Sequence, residues 1–452
     1  MGFVHKFTKN GIKFVVDGNT GNIHILDDIA YDILDYYGRL DKEDIVSLFK
    51  NKYREEDIEE TLVELNSLKA QNLIFADEVS FQNDENVVKA LCLHVSHDCN
   101  LRCKYCFAGE GSFCGERTLM DFIVGKKAID FLIKNSGNRK NIEVDFFGGE
   151  PLLNFEMIKD LVYYAKEEAI KNGKNIKFTL TTNAVLLEGE IAEFVNEYMD
   201  NVVLSLDGRK WINDSMRILP DGSGSYDLIV DNIKNFIKMR GNKDYYVRGT
   251  FTSKNLDFAD DVLYLLDLGI KNISLEPVVI EEDVDYALRK EHLPVIYKEY
   301  ERLMNLYLER KKAGSEFLFF HFLIDINKGP CFKKRIKGCG AGVEYFAVTP
   351  SGDIYPCHQF VGIEKFKMGS LDTGLDNLSR EVFRNNDIYH KEECKKCWAK
   401  MYCGGGCIAN AYKFNGDVSK PYELACNMHR KRVECAITIK AKELEGLYVD
   451  EL

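Results

Sequence analysis

Between residues 90 and 280 the chain alternates short strand-like runs with longer amphipathic ones. The short runs, 91–95, 142–147, 176–182, 202–206, 245–251 and 273–275, are rich in Val, Ile, Leu and Phe. Such runs read as strands. The stretches between them, 119–134, 156–171, 190–198, 226–239 and 256–268, repeat apolar residues at helical spacing. Strand and helix taken in turn predict six β/α units, an α/β architecture with a parallel sheet and helices outside.

The ends of the chain follow other patterns. Residues 11–16 and 22–26 are β-rich and flank Asp17-Gly-Asn-Thr-Gly21, a hairpin signal. Helical spacing is predicted over 29–37, over 42–53 behind the cap candidate Asp41, and over 55–70, with a closing strand at 72–75. Together these form a small winged-helix unit spanning 1–85. Polar Gln82-Asn-Asp-Glu-Asn86 reads as a linker into a catalytic domain over 90–285. Residues 286–330 read as a helical bridge, and 331–452 as a cysteine-rich domain.

Charge and cysteine usage narrow the chemistry. The formal charge is −12, and residues 1–80 carry 9 Lys/Arg against 16 Asp/Glu. That balance argues against nucleic acid, which needs clustered cations, and so against a DNA-reading winged helix. The longest apolar run, 317–324, is far short of the roughly 20 residues of a membrane span. Fourteen Cys without a secretory leader point to metal ligation in a reducing compartment, hence a cytoplasmic protein.

The chemistry concentrates in Cys99-Asn-Leu-Arg-Cys103-Lys-Tyr-Cys106, on the loop leaving the first strand. Three thiolates are one fewer than a 4Fe–4S cube needs, which leaves one iron for a ligand that is not protein. This C-x3-C-x2-C loop resembles the cluster loop of radical S-adenosylmethionine (SAM) enzymes, whose fold is a partial (β/α)6 barrel. The resemblance implies that SAM chelates the open iron and is cleaved there to a 5′-deoxyadenosyl radical. Carried over, Gly148, Gly149, Glu150 and Pro151 receive the SAM amino group, Ser205 and Asp207 lie near the ribose, and Arg217 pairs with the carboxylate. Leu275 and the Tyr105 backbone border the adenine. Thr182-Asn183, after the third strand, is a weaker signal.

Cysteines return as Cys339-x17-Cys357, then Cys394-x2-Cys397-x5-Cys403-x3-Cys407, then Cys426. This order resembles the SPASM extension of peptide-modifying radical SAM enzymes, which implies two auxiliary 4Fe–4S clusters and three clusters in all. By that resemblance Cys394, Cys397, Cys403 and Cys426 hold the outer cluster, and Cys339, Cys357 and Cys407 the inner one. Either Cys331 or a substrate thiolate completes the inner cluster. Cys92, Cys114 and Cys435 fall outside both patterns and read as buried apolar groups; His321, His358 and His429 read as structural.

The whole chain resembles thioether-forming (sactipeptide or ranthipeptide type) maturases of clostridial peptides with six Cys in about forty-five residues. The implied substrate is a ribosomal precursor peptide, its leader captured by residues 1–80 as an added strand and its Cys-rich core entering the barrel. A ferredoxin or flavodoxin would supply electrons. Other SPASM maturases, making formylglycine or decarboxylating a peptide, share both Cys patterns. A non-enzymatic iron–sulfur redox protein is the remaining reading.

Overall fold

A computed structural model of the chain describes residues 2–78, 87–113, 115–324 and 332–449. The linker 82–86, Cys114 and Cys331 lie outside the described residues. The six expected strands are present as β4 (Ala90–Ser96), β5 (Asn141–Gly148), β6 (Asn175–Thr182), β7 (Asn201–Ser205), β8 (Asp244–Phe251) and β9 (Asn272–Pro277). They follow one another in register, all parallel. The crossover helices α4 (Phe122–Asn135), α5 (Phe155–Lys171), α6 (Gly189–Tyr198), α8 (Tyr226–Arg240) and α9 (Phe258–Asp267) bury their apolar faces on the sheet. One further helix, α7 (Lys210–Met216), was not expected; it is two turns long and half polar.

The sheet does not stop at six strands. Leu318–Phe319 adds a parallel strand beside β9, so the longest apolar run of the chain becomes a sheet edge and the turn after it. At the opposite edge Tyr345–Val348 pairs parallel to β4, and Ile354–Tyr355 pairs antiparallel beyond it. The cysteine-rich region therefore begins as a continuation of the barrel sheet, which fixes Cys357 relative to β4.

At the N-terminus, β1 (Val4–Lys9), β2 (Ile12–Asp17) and β3 (Ile23–Leu26) form an antiparallel sheet in that order. The predicted hairpin is the β2–β3 pair; β1 was not expected. Helices α1 (Asp28–Ile33), α2 (Lys42–Phe49) and α3 (Glu55–Ala70) pack on one face around Ile33, Ile45, Ile58, Leu62 and Leu65. Asp41 sits at the α2 N-cap position without a side-chain capping bond. The strand expected at 72–75 is a turn, because Asn72 and Phe75 take positive φ and the Phe75 ring turns inward to stack on Tyr37 at 5.3 Å. The other face of this sheet, with Phe7, Phe14 and Val16, packs on Trp398, Val433 and Ile437 of the cysteine-rich region.

The bridge is α10 (Leu293–Lys312), which lies against the C-terminal helix Glu423–Val449. Among the described residues no helix is long and apolar enough to cross a membrane.

Candidate functional site

The C-terminal ends of the strands open into a cavity of about 460 Å³. Its lining includes Cys99, Cys103 and Cys106, with Tyr105, Gly148, Gly149, Glu150, Ser205 and Arg217 from the sequence-predicted set. Backbone pairing explains why residues distant in sequence meet here. Arg102 N–H donates to the Ile218 carbonyl at 2.7 Å and Lys104 N–H to the Met216 carbonyl at 2.9 Å, which sets Arg217 against the cysteine loop.

Gly148 and Gly149 are there because nothing larger fits. Gly148 has φ +136°, and a Cβ would lie 2.1 Å from the Ser96 carbonyl oxygen; a Cβ on Gly149 would lie 2.2 Å from that of Asp98. The strand end is thus pressed onto the start of the cysteine loop, with Gly149 and Glu150 N–H donating to Ser96 and Asp98 carbonyls at 2.8 Å.

Glu150 is 1% exposed and ties this end to β6. It accepts from Leu152 N–H at 3.1 Å, Thr182 OH at 2.8 Å and Asn183 N–H at 2.8 Å. Burial pushes its carboxyl up to about 7, partly offset by these donors. Asn183 in turn donates to Asn100 at 2.7 Å, and its amide nitrogen is 3.7 Å from Cys99 Sγ. The weak Thr182-Asn183 signal therefore marks a second layer around the cysteine loop.

On the far side Tyr105 OH bonds the Asp207 carboxylate at 2.6 Å and accepts from Arg217 Nη1 at 3.0 Å. Asp207 is fully buried, and burial raises its carboxyl although Arg217 and Tyr105 oppose the shift. Arg217 is 8% exposed, and its Nε is buried with no hydrogen-bond partner. A buried donor without an acceptor is costly and is the kind of atom a bound anion satisfies. Asp207, Pro151 and Leu275 do not line the cavity: Asp207 and Pro151 support it from behind, and Leu275 is fully buried beside Gly249.

Sequence reading missed the polar residues along the barrel interior. Arg248 and Thr250 of β8 and Glu276 of β9 also line the cavity. Strand alternation was the available signal, since they face opposite to core Val247, Phe251 and Leu275. Glu276 is held below the ordinary carboxylate range by His321, Arg432 and Arg248 despite burial. His321 lies between Arg432, at 2.9 Å, and Glu276, at 3.4 Å, and burial lowers it to about 4.

The same cavity reaches His358–Phe360, Val361–Ile363, Ala409 and Tyr412, the segments that follow Cys357 and Cys407. Burial pushes the Cys357 and Cys407 thiols up, and the nearby thiols act in the same direction, Cys407 and Cys339 on Cys357 and Cys339 on Cys407. Cys357 is buried, whereas Cys339 and Cys407 are exposed. The remaining four, Cys394, Cys397, Cys403 and Cys426, border a separate cavity of about 320 Å³. Among the described residues no three His, Cys, Asp or Glu side chains close on one point as a single metal ion requires. Cys92 and Cys435 are buried as expected; Cys92 pairs with Tyr345. His358 lies in the cavity wall, its ring 4.9 Å from that of Phe147.

Two family models match: a 4Fe-4S single cluster domain over residues 88–230 and an iron–sulfur cluster-binding SPASM domain over 339–398. An uncharacterised protein of Methanocaldococcus jannaschii is 32% identical over 319 residues, 70% of this chain and 96% of that one. A radical SAM cyclopropyl synthase of Paramaledivibacter caminithermalis is 24% identical, covering 76% of this chain and 72% of its own length. A cysteine-type anaerobic sulfatase-maturating enzyme of Clostridium novyi is also 24% identical, covering 70% and 86%. Among solved structures, native anSMEcpe with AdoMet and the Cp18Cys peptide superposes with TM-score 0.66 at 22% identity, over 80% of this chain and 99% of that one. Streptococcus suis SuiB bound to its precursor peptide SuiA superposes with TM-score 0.52 at 19% identity, over 93% and 98%. With the thiol triad on the first strand end, the seven-thiol array behind it and these likenesses, the chain belongs to the radical SAM/SPASM maturase family, whose cofactors are 4Fe–4S clusters and SAM.

Proposed function

We propose that this protein joins a Cys sulfur to a carbon of an acceptor residue within a ribosomally made, Cys-rich peptide. The observation that carries the reading is the single cavity running from the Cys99–Cys103–Cys106 triad to the loop behind Cys357. A peptide lying there meets the radical-generating end and the inner thiol group at once.

The residues present fit the cofactors. Cys99, Cys103 and Cys106 would hold one cluster, Cys394, Cys397, Cys403 and Cys426 the outer one, and Cys339, Cys357 and Cys407 the inner one with an open corner. When bound, the first cluster supplies the electron that cleaves SAM and so the radical that takes hydrogen from the substrate carbon. Arg217, which lines the cavity, would hold the SAM carboxylate, and Tyr105, itself bonded to Asp207, keeps that guanidinium in place. Gly148 and Gly149 leave backbone exposed for the SAM amino group, and Glu150 holds the Asn183 amide against Cys99. The exposed faces of Cys339 and Cys407 leave room for a substrate thiolate, which a metal would orient and acidify.

Residues 1–78 would capture the leader. Its sheet has two edges, β1 and β3. His5 and Lys9 of β1 are engaged by Glu434 and Glu301 of the helices behind it, which leaves the β3 edge, with Ile25 58% exposed, for an added strand. A ferredoxin or flavodoxin of the cytoplasm would be the electron donor.

The test is intact and tandem mass spectrometry of a Cys-rich precursor peptide after anaerobic turnover with SAM and reductant. Loss of two hydrogens per event, with one Cys protected from alkylation after reduction, is the expected result. Exchange of Cys sulfur for oxygen would replace the thioether reading with the sulfatase-maturase chemistry of the Clostridium novyi relative. A loss of two hydrogens with every Cys still alkylatable would point to carbon–carbon closure, as the cyclopropyl synthase name describes.

A further inference from the structure

Lys391 is among the largest fully buried side chains of the molecule, 1% exposed, and belongs to neither cysteine pattern. Its ammonium donates to the Gly405 carbonyl at 2.8 Å and, among the described residues, makes no ion pair with a carboxylate. Burial disfavours the charged form of this amine, and the negative charge that opposes burial comes from groups other than carboxylates. The charges it feels are the thiols of Cys394, Cys403 and Cys426, from the outer group, and of Cys407, from the inner group.

The loop geometry makes that position specific. Gly405 is the middle residue of Cys403-Gly-Gly-Gly-Cys407, which runs from an outer thiol to an inner one. Gly405 has φ +92°, and a Cβ there would sit 3.3 Å from Lys391 Nζ. Gly405 alone of the three glycines borders the ammonium, and its missing side chain leaves the amine close against the loop that joins the two groups. Lys400 and Arg430 border the outer cavity, but Lys400 is bonded to Asn19 and the Lys395 carbonyl and Arg430 to Asn427, and Lys391 is the one of the three that also feels the inner thiol Cys407.

We propose that Lys391 is the electrostatic positioning residue of the auxiliary pair, a fixed positive charge that raises the reduction potential of both clusters. The proposal rests on the reading that these seven thiols hold clusters. Adding an electron to a cluster adds negative charge, and a cation held beside it without water stabilises the reduced form. With both sites loaded, the negative charge of the thiolates and sulfides would favour the protonated amine.

The experiment is a potentiometric titration, followed by electron paramagnetic resonance, of the wild-type, Lys391→Arg, Lys391→Gln and Lys391→Met holoenzymes, each assayed for iron and sulfide. The expected result is a fall in the auxiliary midpoint potentials in the Gln and Met variants by at least the equivalent of tenfold in the reduction equilibrium, about 59 mV for one electron. The first cluster should be unmoved and Arg should keep the wild-type values. Lys391→Gln retains a donor for the Gly405 carbonyl, so it decides the matter where Met loses iron. Unchanged auxiliary potentials in Lys391→Gln at full iron content would overturn the proposal. Wild-type protein with only one cluster would instead overturn the cluster reading beneath it.

Discussion

The outer and inner cysteine groups lie on one stretch of chain, yet the structure treats them differently. The outer four come from 394–403 and one turn of the C-terminal helix, close round their own cavity, and sit beside the seat of the N-terminal sheet. Trp398 stacks on His5 at 4.1 Å, and Lys400 donates to Asn19 at 2.7 Å. The inner three come from three separated segments, two of them exposed, and Cys357 is set by the strand pairing of Tyr345–Val348 onto β4. A closed group of local thiols is a staple; an open group assembled on the barrel wall is a working surface.

The sharpest way to break that contrast is to remove one thiol from each group. Cys357→Ser should lower crosslinked peptide more than tenfold, about 1.4 kcal/mol or more of barrier, while 5′-deoxyadenosine is still formed. Cys394→Ser should instead lower the yield of folded, iron-loaded protein. Equal losses of 5′-deoxyadenosine in both variants would erase the distinction.

A smaller effect tests the outer group as a seat. Trp398→Ala removes a side chain that is 9% exposed, at a cost of about 3 kcal/mol. Protease cleavage within residues 1–78 should rise while the SAM-dependent absorbance change stays. Smaller again is Arg217→Lys, which keeps the charge and loses the forked geometry. SAM affinity measured by equilibrium dialysis should weaken about tenfold, near 1.4 kcal/mol, with neither auxiliary group altered.

The smallest effect concerns a feature the two regions share. Burial holds His429, at the outer cavity, down at about 3 and His358, after Cys357, at about 4. Both are ordinarily near 6.5, so the unfolded chain takes up their protons first as the pH falls. The stability from their neutral forms is whole above pH 6.5 and lost progressively from there toward pH 4 for His358 and pH 3 for His429. The melting temperature should drop across that window, and His429→Gln should flatten part of the slope.

Much of this was legible in the chain itself. The six barrel strands declared themselves because apolar residues at alternate positions, packed under the helices, recur between helical stretches. The triad and the seven-thiol order were legible because metal ligation allows few residue types at few spacings. What escaped was set by partners far away in sequence. The first strand, Val4–Lys9, is half polar, and it is a strand because β2 pairs with it and the C-terminal helix covers it. Residues 72–75 carry a strand composition, but the cluster beneath α3 needed the Phe75 ring inside. Pairing two residues at Ile354–Tyr355 is invisible in a pattern that short.

By itself the amino-acid sequence determined the element types, the thiol inventory and the turn at Gly148-Gly149, because periodicity, ligand chemistry and the volume of a Cβ are local constraints. Only the tertiary structure decided that one cavity runs from the triad to the segment after Cys357, that Arg217 lines it, and that Lys391 is buried against the loop joining Cys403 to Cys407. Those depend on where electrostatic and packing partners lie in space, which no local pattern encodes.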